Sequence, residues 1–271
     1  MAQSESIFIW SHFTRQSSFI VTWFKKFVPS ELWNEAKEDP CQYFYGEDKN
    51  QDYSSLTKAK LVRKFGETFG KIRLFHACRP RDVGSYLRNG LTPLDIEAAN
   101  VMARELFLSS EYPSVTENML LDAIANLHVE NRGGHLYLSV DDVNLIRFAN
   151  HYLIYGSEYL LAIATYLSRQ TGEDYTAALK KIGIPTIFVC DIPIRYISDL
   201  PIQHLIEELV RRALFELKQN NGTMDYLDFT FTFHSPLPAK FITSHYHPRE
   251  IPDREGVYIH PHTFCPFCEA T

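Results

Sequence analysis

The sequence predicts an α+β protein, with strands gathered around a few helices. Two segments, His135–Val140 and Leu227–Phe233, alternate between apolar and polar side chains, which is the period of a strand with one buried face. The near-continuous apolar run Ile184–Cys190 predicts a buried strand. Apolar residues at helical spacing over His204–Lys218 predict a helix with one buried stripe. One chain therefore contains both segments with the period of a strand and segments with the period of a helix.

A chain of 271 residues with 45% hydrophobic side chains can bury a full core. Its first seventy residues are aromatic-rich and show no regular period, and the polar stretch Glu47–Ser55 predicts a loop or boundary. We therefore expect an N-terminal addition over 1–70, a main domain over 71–252, and a tail containing histidine and cysteine over 253–271.

The main domain is expected to open with a strand, a turn and a short helix. The apolar run Ile72–Ala77 predicts the strand, and Asp82–Arg88 predicts the helix, which Asn89-Gly90 would end. Five more segments carry patterns of the same kinds. They predict helices over Asp95–Phe107, over Ser114–Val129 with a capping box at Ser114-Val-Thr-Glu117, over about three turns after Glu158, and over Asp174–Ile182, and a strand over Lys240–His245 beside Leu227–Phe233.

The overall charge and composition restrict the partners of the protein. A formal charge of −6 argues against nonspecific attraction of the whole molecule to nucleic acid or to an anionic membrane. No apolar run is long enough to span a bilayer, and no secretory signal is recognisable. Five cysteines, an odd number, do not make a disulfide framework and fit a reducing compartment. We therefore expect a cytoplasmic protein without a membrane partner.

One segment departs from this acidic balance. Lys58–Arg88 contains nine basic and two acidic side chains. Its local field would suit the pyrophosphate of a dinucleotide or the backbone of a nucleic acid. The alternative is a solvated surface whose basic side chains meet acidic neighbours in space.

The predicted strand and turn carry a histidine in apolar surroundings. Taken alone, His76 is more often a core histidine than a functional one. However, Leu74–Arg79, followed by a short helix and Asn89-Gly-Leu91, resembles the opening unit of ADP-ribosyltransferases. The resemblance implies that His76 holds the nicotinamide-side ribose of NAD. It also implies that the following turn, with Ala77 and Arg79, contacts the nicotinamide amide through backbone groups.

A second stretch, Gly134–Ser139, is similar to the family's strand of the form Gly-x-x-Tyr-aromatic-small. The resemblance implies that Tyr137 stacks on the nicotinamide ring, and alternation places Ser139 on the same face. An aromatic wall would hold the flat pyridinium while its bond to the ribose lengthens. Tyr152 is similar to a second family tyrosine on the opposite side of the ring. The alternative for Tyr137 is that it covers a half-buried sheet face.

The family's chemistry also requires a carboxylate beside the ribose, which stabilises positive charge as nicotinamide departs. Glu158 lies in Tyr155-Gly-Ser-Glu-Tyr159, which resembles the Tyr-x-Glu-Tyr form of the family's last motif. It occurs earlier in the chain than the family's glutamate, which leaves Asp225 and Asp228 as alternatives. Glu158 could also be a first-turn residue that the helix dipole favours after a Ser157 cap.

The resemblance covers Ile72–Pro248 and implies an ADP-ribosyltransferase-like fold, with a split mixed or antiparallel sheet and surrounding helices. It implies an NAD-dependent transferase of the bacterial toxin or phage-defence type, with a nucleic acid as acceptor and an antitoxin or other inhibitory protein as partner. Three alternatives stay open: a protein acceptor, hydrolysis of NAD, and a non-catalytic binding module on the same fold.

The tail carries a separate pattern, in which a Cys-x-x-Cys pair follows two histidines. Thiolates and imidazoles in this number are the ligands that zinc binds tetrahedrally. The alternative is a packed or disordered tail. The expected zinc ligands are Cys265, Cys268, His260 and His262, and the histidines that could replace either of the last two are His234, His245 and His247.

Overall fold

The structure is a computed structural model that describes residues 6–40, 43, 55–127, 133–219, 226–253, 256–259 and 265–268. The described helices are α1 (Phe13–Phe27), α2 (Ser30–Glu38), α3 (Ser55–Thr68), α4 (Val83–Asn89), α5 (Ile96–Phe107), α6 (Glu117–Ala125), α7 (Asp142–Arg147), α8 (His151–Ile154), α9 (Glu158–Thr171), α10 (Thr176–Lys180) and α11 (Asp199–Gln219). The described strands are β1 (Ile7–Phe8), β2 (Lys71–Cys78), β3 (Leu136–Ser139), β4 (Thr186–Pro193), β5 (Thr230–Phe233), β6 (Ile242–Tyr246), β7 (Glu250–Asp253) and β8 (Gly256–Ile259). The predicted mixture of helices and strands is confirmed. None of the helices within these ranges is long and apolar enough to cross a membrane.

The described part of the N-terminal segment is largely helical, although its sequence shows no regular period. In α1, the buried residues Phe13, Ile20 and Phe24 recur at helical spacing. Exposed Phe19 interrupts this stripe in the sequence and hides its period. The predicted loop Glu47–Ser55 lies outside the described residues, except for Ser55, which begins α3.

The chain divides into two compact units, Met1–Arg73 with Asp191–Phe229, and Leu74–Cys190 with Thr230–Thr271. In the first unit, α11 packs against α1 and α3. There β1 also pairs in parallel with the first two residues of β2. The N-terminal segment, expected as an addition to the main domain, therefore shares its unit with α11.

The second unit is built on strands in the order β5-β3-β2-β4-β6. Within it, β3 is antiparallel to both β5 and β2, and β4 is antiparallel to β6. The prediction that the strand near Lys240–His245 pairs beside Leu227–Phe233 is wrong, because β6 pairs with β4 at the other side of the sheet. A backbone bridge between Leu91 and Leu237 holds the connection that leads from β5 to β6.

Side-chain caps set helix boundaries that spacing alone misplaces. Thr116, rather than Ser114, caps α6, and its hydroxyl accepts from the amide of Met119 at 3.3 Å. The predicted capping box is wrong because the Ser114 hydroxyl donates instead to Glu173 Oε1 at 2.7 Å. The other predicted helices and strands are present, with ends shifted by a few residues.

Two apolar clusters stabilise the second unit. The first joins α5, α6, α9 and α10 around the fully buried rings of Tyr159 and Tyr175. The second lies on one face of the sheet, where Phe75 of β2 packs in a cluster with Leu153 of α8. This second cluster fixes α8 and the turn after it against β2.

Candidate metal centre and the predicted NAD-binding residues

One end of the sheet in the second unit brings together segments that are distant in sequence. There β2 ends and β3 begins, since these strands are antiparallel. The amide of Ile184 donates to the carbonyl of Pro80 at 3.2 Å, which places the start of β4 beside the end of β2. Because β6 is antiparallel to β4, it ends at the same place. Several residues predicted to bind NAD and several predicted metal ligands therefore lie at one end of the sheet.

His76 lies near the end of β2 and is half-buried. Its Nδ1 donates to the backbone carbonyl of Tyr137 at 3.0 Å, so the imidazole joins two neighbouring strands. Burial lowers the pKa of His76, and the bond to Tyr137 opposes this effect. The ring is therefore neutral at neutral pH, with Nε2 left as an acceptor. The next residue, Ala77, is buried in the sheet.

Tyr137 and Ser139 share one face of β3, as alternation predicts. The register pairs Ser139 with Phe75, so both lie on the face opposite that of His76. Tyr137 is 41% exposed, whereas Ser139 is buried. The Ser139 hydroxyl donates to the carbonyl of Asp141 at 2.9 Å. A ligand that contacts both His76 and Tyr137 must therefore reach around the end of β2 instead of lying flat on one face.

Arg79 follows β2, and its side chain is buried. Burial lowers the pKa of its guanidinium, while a hydrogen bond with Tyr258 opposes this effect. The side chain also packs beneath Gly156, where an added Cβ would lie 3.2 Å from Arg79 Cβ. The Arg79 guanidinium thus makes all its hydrogen bonds to backbone carbonyls within the protein itself. Its backbone acceptors, at 2.7 to 3.2 Å, are the carbonyls of Leu153, Lys180, Ile182 and Gly183.

The turn between α8 and α9 makes Glu158 the first residue of α9. Gly156 adopts a φ of 85°, and Ser157 caps the helix. The Glu158 carboxylate accepts from His151 Nε2 at 3.0 Å, and the His151 ring lies against that of Tyr152, with centroids 4.1 Å apart. Sequence reasoning missed His151, because its spacing from Glu158 belongs to a turn between two helices and follows no regular period.

The alternative carboxylates differ from Glu158 in their place in the chain. Asp228 is exposed and belongs to the first unit. Asp225 lies outside the described residues. Glu158 belongs to the second unit, where Arg79 connects its turn to the end of β2.

Many basic side chains of Lys58–Arg88 meet acidic partners. In the first unit, Arg73 forms a bidentate pair with Asp191, with N–O distances of 2.8 and 2.9 Å. This pairing favours the interpretation of a surface with acidic neighbours over that of a free basic patch. The other pairs join Arg63 and Lys64 to Glu67, Arg81 to Glu105, and Arg88 to Asp82.

Four side chains form a group that can hold a metal ion: His245, His247, Cys265 and Cys268, whose ligand atoms all lie within 4.8 Å of one another. His245 lies in β6 and His247 follows it, so alternation brings both rings to one side of the strand. A turn closed by the Cys268 amide and the Cys265 carbonyl, at 3.2 Å, brings the two thiols together. His245 Nε2 lies 3.6 Å from Cys265 Sγ and 3.5 Å from Cys268 Sγ.

The two cysteines of this group are those expected from the sequence, and the two histidines are among the expected replacements. His260 and His262, the first choice, lie outside the described residues. His234, the third replacement, packs against His135, with ring centroids 4.9 Å apart. The His-x-His spacing at the end of a strand is the sequence signal that favours His245 and His247, since both then share one face.

His247 is oriented in the way that is common for metal-binding histidines. Its Nδ1 donates to the carbonyl of Pro185 at 3.0 Å, and metal ligands often hold a carbonyl with their second nitrogen in this way. Its Nε2 is buried, and no hydrogen-bond partner for this atom occurs among the residues that the structure describes. A buried nitrogen without a partner is costly. A metal ion held by the four side chains would satisfy it.

The protonation of the group also suits a cation. Burial, and to a smaller extent His247, lowers the pKa of His245, so the imidazole is in its neutral, metal-binding form. Burial and the neighbouring Cys265 raise the pKa of Cys268 while no cation is bound. A bound cation reverses the effect on the thiols, because thiolates are the ligands, so metal binding releases protons.

Comparison of the chain with protein-family models, with curated proteins and with solved structures found no match. Proposals about its function therefore rest on its own residues and their geometry.

Proposed function

We propose that the protein is an NAD-dependent ADP-ribosyltransferase. The observation that carries the proposal is that three sequence-distant motifs meet at one end of a sheet. His76 bonds to the backbone of Tyr137, and Arg79 bonds to Leu153 in the segment that leads to Glu158. The histidine strand, the tyrosine strand and the glutamate turn of the family resemblance are thus neighbours in the second unit.

Each motif has a role in the proposed reaction. Exposed Tyr137 stacks on the nicotinamide ring, Nε2 of His76 accepts a hydrogen bond from the adjacent ribose, and Glu158 stabilises the positive charge that develops on that ribose. The bond between the ribose C1′ and the nicotinamide nitrogen breaks, and nicotinamide leaves with the electron pair. The acceptor then forms a bond to C1′ and loses its proton. His151 holds the Glu158 carboxylate in place.

The proposal is tested by incubating the full chain with adenylate-labelled NAD and separate pools of DNA, RNA and cell protein. We expect label in nucleic acid, and its loss in Glu158→Gln and Tyr137→Ala. Glu97→Gln is the matched control, because Glu97 is also an exposed first-turn glutamate, in α5. Equal transfer by the wild type and Glu158→Gln would contradict the proposed role of this carboxylate.

The same experiment separates the alternatives. Label in protein instead of nucleic acid would identify a protein acceptor, and nicotinamide release without label in any pool would identify hydrolysis of NAD. Folded protein that neither binds NAD nor releases nicotinamide would overturn the enzyme proposal and leave a binding module. An enzyme of the toxin type should also slow the growth of a bacterial host, and the Glu158→Gln variant should not.

We further propose that the group of His245, His247, Cys265 and Cys268 holds zinc. Two thiolates and two imidazoles make a closed set of four ligands, which is typical of structural zinc and leaves no open position for a catalytic water. The unpartnered Nε2 of His247 supports this assignment.

Zinc binding is tested by elemental analysis of the purified chain. We expect about one zinc ion per chain, and a loss of most of it in Cys268→Ser and His247→Ala. His234→Ala is the control, because His234 packs against His135 instead of the thiols. Full zinc content in both ligand variants would show that these four residues are not the site.

A further inference from the structure

The segment Cys265–Cys268 also contacts helix α4. Between its two cysteines, the ring of Phe267 lies over the backbone of Gly84. A Cβ at Gly84 would overlap that ring, so the close contact depends on glycine. Phe267 is still 44% exposed, so the remainder of its ring faces solvent. The metal-binding segment therefore lies against α4 through the Phe267 ring.

A second path connects the metal centre to the same helix. The ring of Tyr86 in α4 stacks on that of Phe188 in β4, with centroids 4.9 Å apart and planes 15° apart. The ring centroids of Phe188 and His245 are 6.1 Å apart. Tyr86 also bonds to the buried thiol of Cys78, whose pKa burial raises to about 12. Helix α4 thus contacts the cysteine segment directly, through Phe267, and reaches His245 of β6 indirectly, through Phe188.

Helix α4 is too short to be stable by itself. It has seven residues, and isolated helices of that length do not persist in water. Its buried residues are small, Val83 and Gly84, so it depends on its neighbours. It also begins directly after the turn Pro80–Asp82, which follows Arg79 in the strand, turn and helix unit that the family resemblance assigns to nicotinamide.

We infer that the metal centre is a clamp on α4. A bound ion gathers the two thiols and the two imidazoles, and in doing so holds the Phe267 ring on Gly84 and the β6 end beside Phe188. The clamp thereby fixes the turn between β2 and α4. This last step rests on the proposed function, because it concerns the turn that would contact nicotinamide.

The clamp is tested by hydrogen exchange of the full chain, followed by mass spectrometry. In metal-free protein and in Cys268→Ser, we expect the amides of Val83–Asn89 to exchange about tenfold faster than in the zinc-loaded wild type. The amides of Ile96–Phe107 in α5 serve as the internal control and should change little. Unchanged protection of α4 after zinc is removed would overturn the inference.

A substitution at Gly84 tests the contact without touching a ligand. Alanine is a better helix former than glycine, so Gly84→Ala favours α4 itself while it excludes the Phe267 ring. We expect this variant to transfer zinc to a chromogenic chelator about tenfold faster than the wild type. The double variant Gly84→Ala with Phe267→Ala should match Phe267→Ala alone. The clash with the ring is then absent, and Arg88 Nη1, 2.8 Å from the added Cβ, is the end of a flexible side chain that can move away.

The control is Gly66→Ala, a glycine inside α3 whose added Cβ would lie 3.6 Å from its nearest neighbour, an ordinary contact. This variant should retain zinc as the wild type does. Equal zinc transfer by Gly84→Ala and Gly66→Ala would show that Phe267 does not couple the centre to α4.

Titration calorimetry with NAD separates this inference from the proposed function. Metal-dependent protection of α4 without any NAD binding would support the clamp and contradict the transferase. NAD binding that is equally tight with and without zinc would support an NAD protein and overturn the role of the clamp in fixing the turn.

Discussion

Arg79 shows how one buried side chain can replace a set of regular hydrogen bonds. It donates to the carbonyls of Lys180, Ile182 and Gly183, at and after the end of α10, and to that of Leu153 in α8. These carbonyls occur where regular structure ends, so the strand ladder cannot satisfy them. The sequence marks Arg79 only as a basic residue after a strand, and its burial is a property of the folded chain.

Arg79→Lys should therefore destabilise the protein. Lysine keeps the charge but lacks the planar set of donors, so several buried or partly buried carbonyls lose their partners, at about 1–3 kcal/mol in the free energy of unfolding. Urea unfolding measures the loss. Arg81→Lys is the matched control, since Arg81 forms an exposed pair with Glu105 at 3.5 Å and should change stability by less than about 1 kcal/mol. Equal effects of the two substitutions would contradict the anchoring role of Arg79.

His76 should make stability depend on pH. Burial lowers its pKa in the folded state, so the unfolded chain binds more protons and stability falls as the pH drops below the usual histidine pKa, about 6.5. Asparagine can keep the donor to Tyr137 without titrating. When the pH is lowered from about 7.5 to about 5.5, we expect the free energy of unfolding of His76→Asn to fall by about 1 kcal/mol less than that of the wild type. Urea unfolding at the two pH values measures this difference. Metal loss at low pH is common to both proteins and cancels; identical pH profiles would refute the assignment to His76.

At the scale of elements, the turn before α9 depends on a glycine for two reasons. Gly156 has a φ of 85°, a conformation that other residues avoid, and it also lies against the Arg79 side chain. Gly172, at the end of α9, has a similar φ of 82° but nothing within 4 Å of an added Cβ. An alanine would be strained by the positive φ at both positions, but only at Gly156 would its Cβ also press on the Arg79 side chain.

Both Gly156→Ala and Gly172→Ala should therefore lower the free energy of unfolding by about 1–2 kcal/mol, because alanine is strained at a positive φ. Gly156→Ala should cost about 1 kcal/mol more, because Arg79 must move. Urea midpoints of the two variants give the difference directly. A Gly172→Ala variant that is the less stable of the two would show that packing on Arg79 is unimportant.

Elements with a clear local period were predicted well. In β5, buried Phe231 and Phe233 alternate with exposed Thr230 and Thr232, as the sequence pattern indicates. The partner of β6 was not predictable, because pairing depends on where the connection from β5 leads, and adjacency in sequence favours the wrong neighbour. The stripe of α1 was hidden for a different reason, since the exposed aromatic residue Phe19 occurs between the buried ones.

At the scale of the whole molecule, zinc should raise thermal stability in a concentration-dependent way. A ligand that binds only the folded state stabilises it by about 4 kcal/mol at a thousandfold excess over its dissociation constant. Calorimetry should therefore show a melting temperature that rises with free zinc for the wild type and for His234→Ala. The Cys268→Ser variant should show no such rise. A similar rise in Cys268→Ser would point to binding elsewhere.

The sequence by itself determined the α+β class, most helix and strand segments, and the two cysteines of the group that can hold a metal ion. These follow from periods and spacings of a few residues, which act locally. Only the tertiary structure decided that His245 and His247 join those cysteines, that Arg79 serves the protein's own carbonyls, and that His151 holds Glu158. The contacts of Arg79 and of the two histidines join segments that are distant in sequence, so they depend on the course of the chain, to which local periods are insensitive. The contact of His151 with Glu158 crosses one irregular turn, which has no period to recognise.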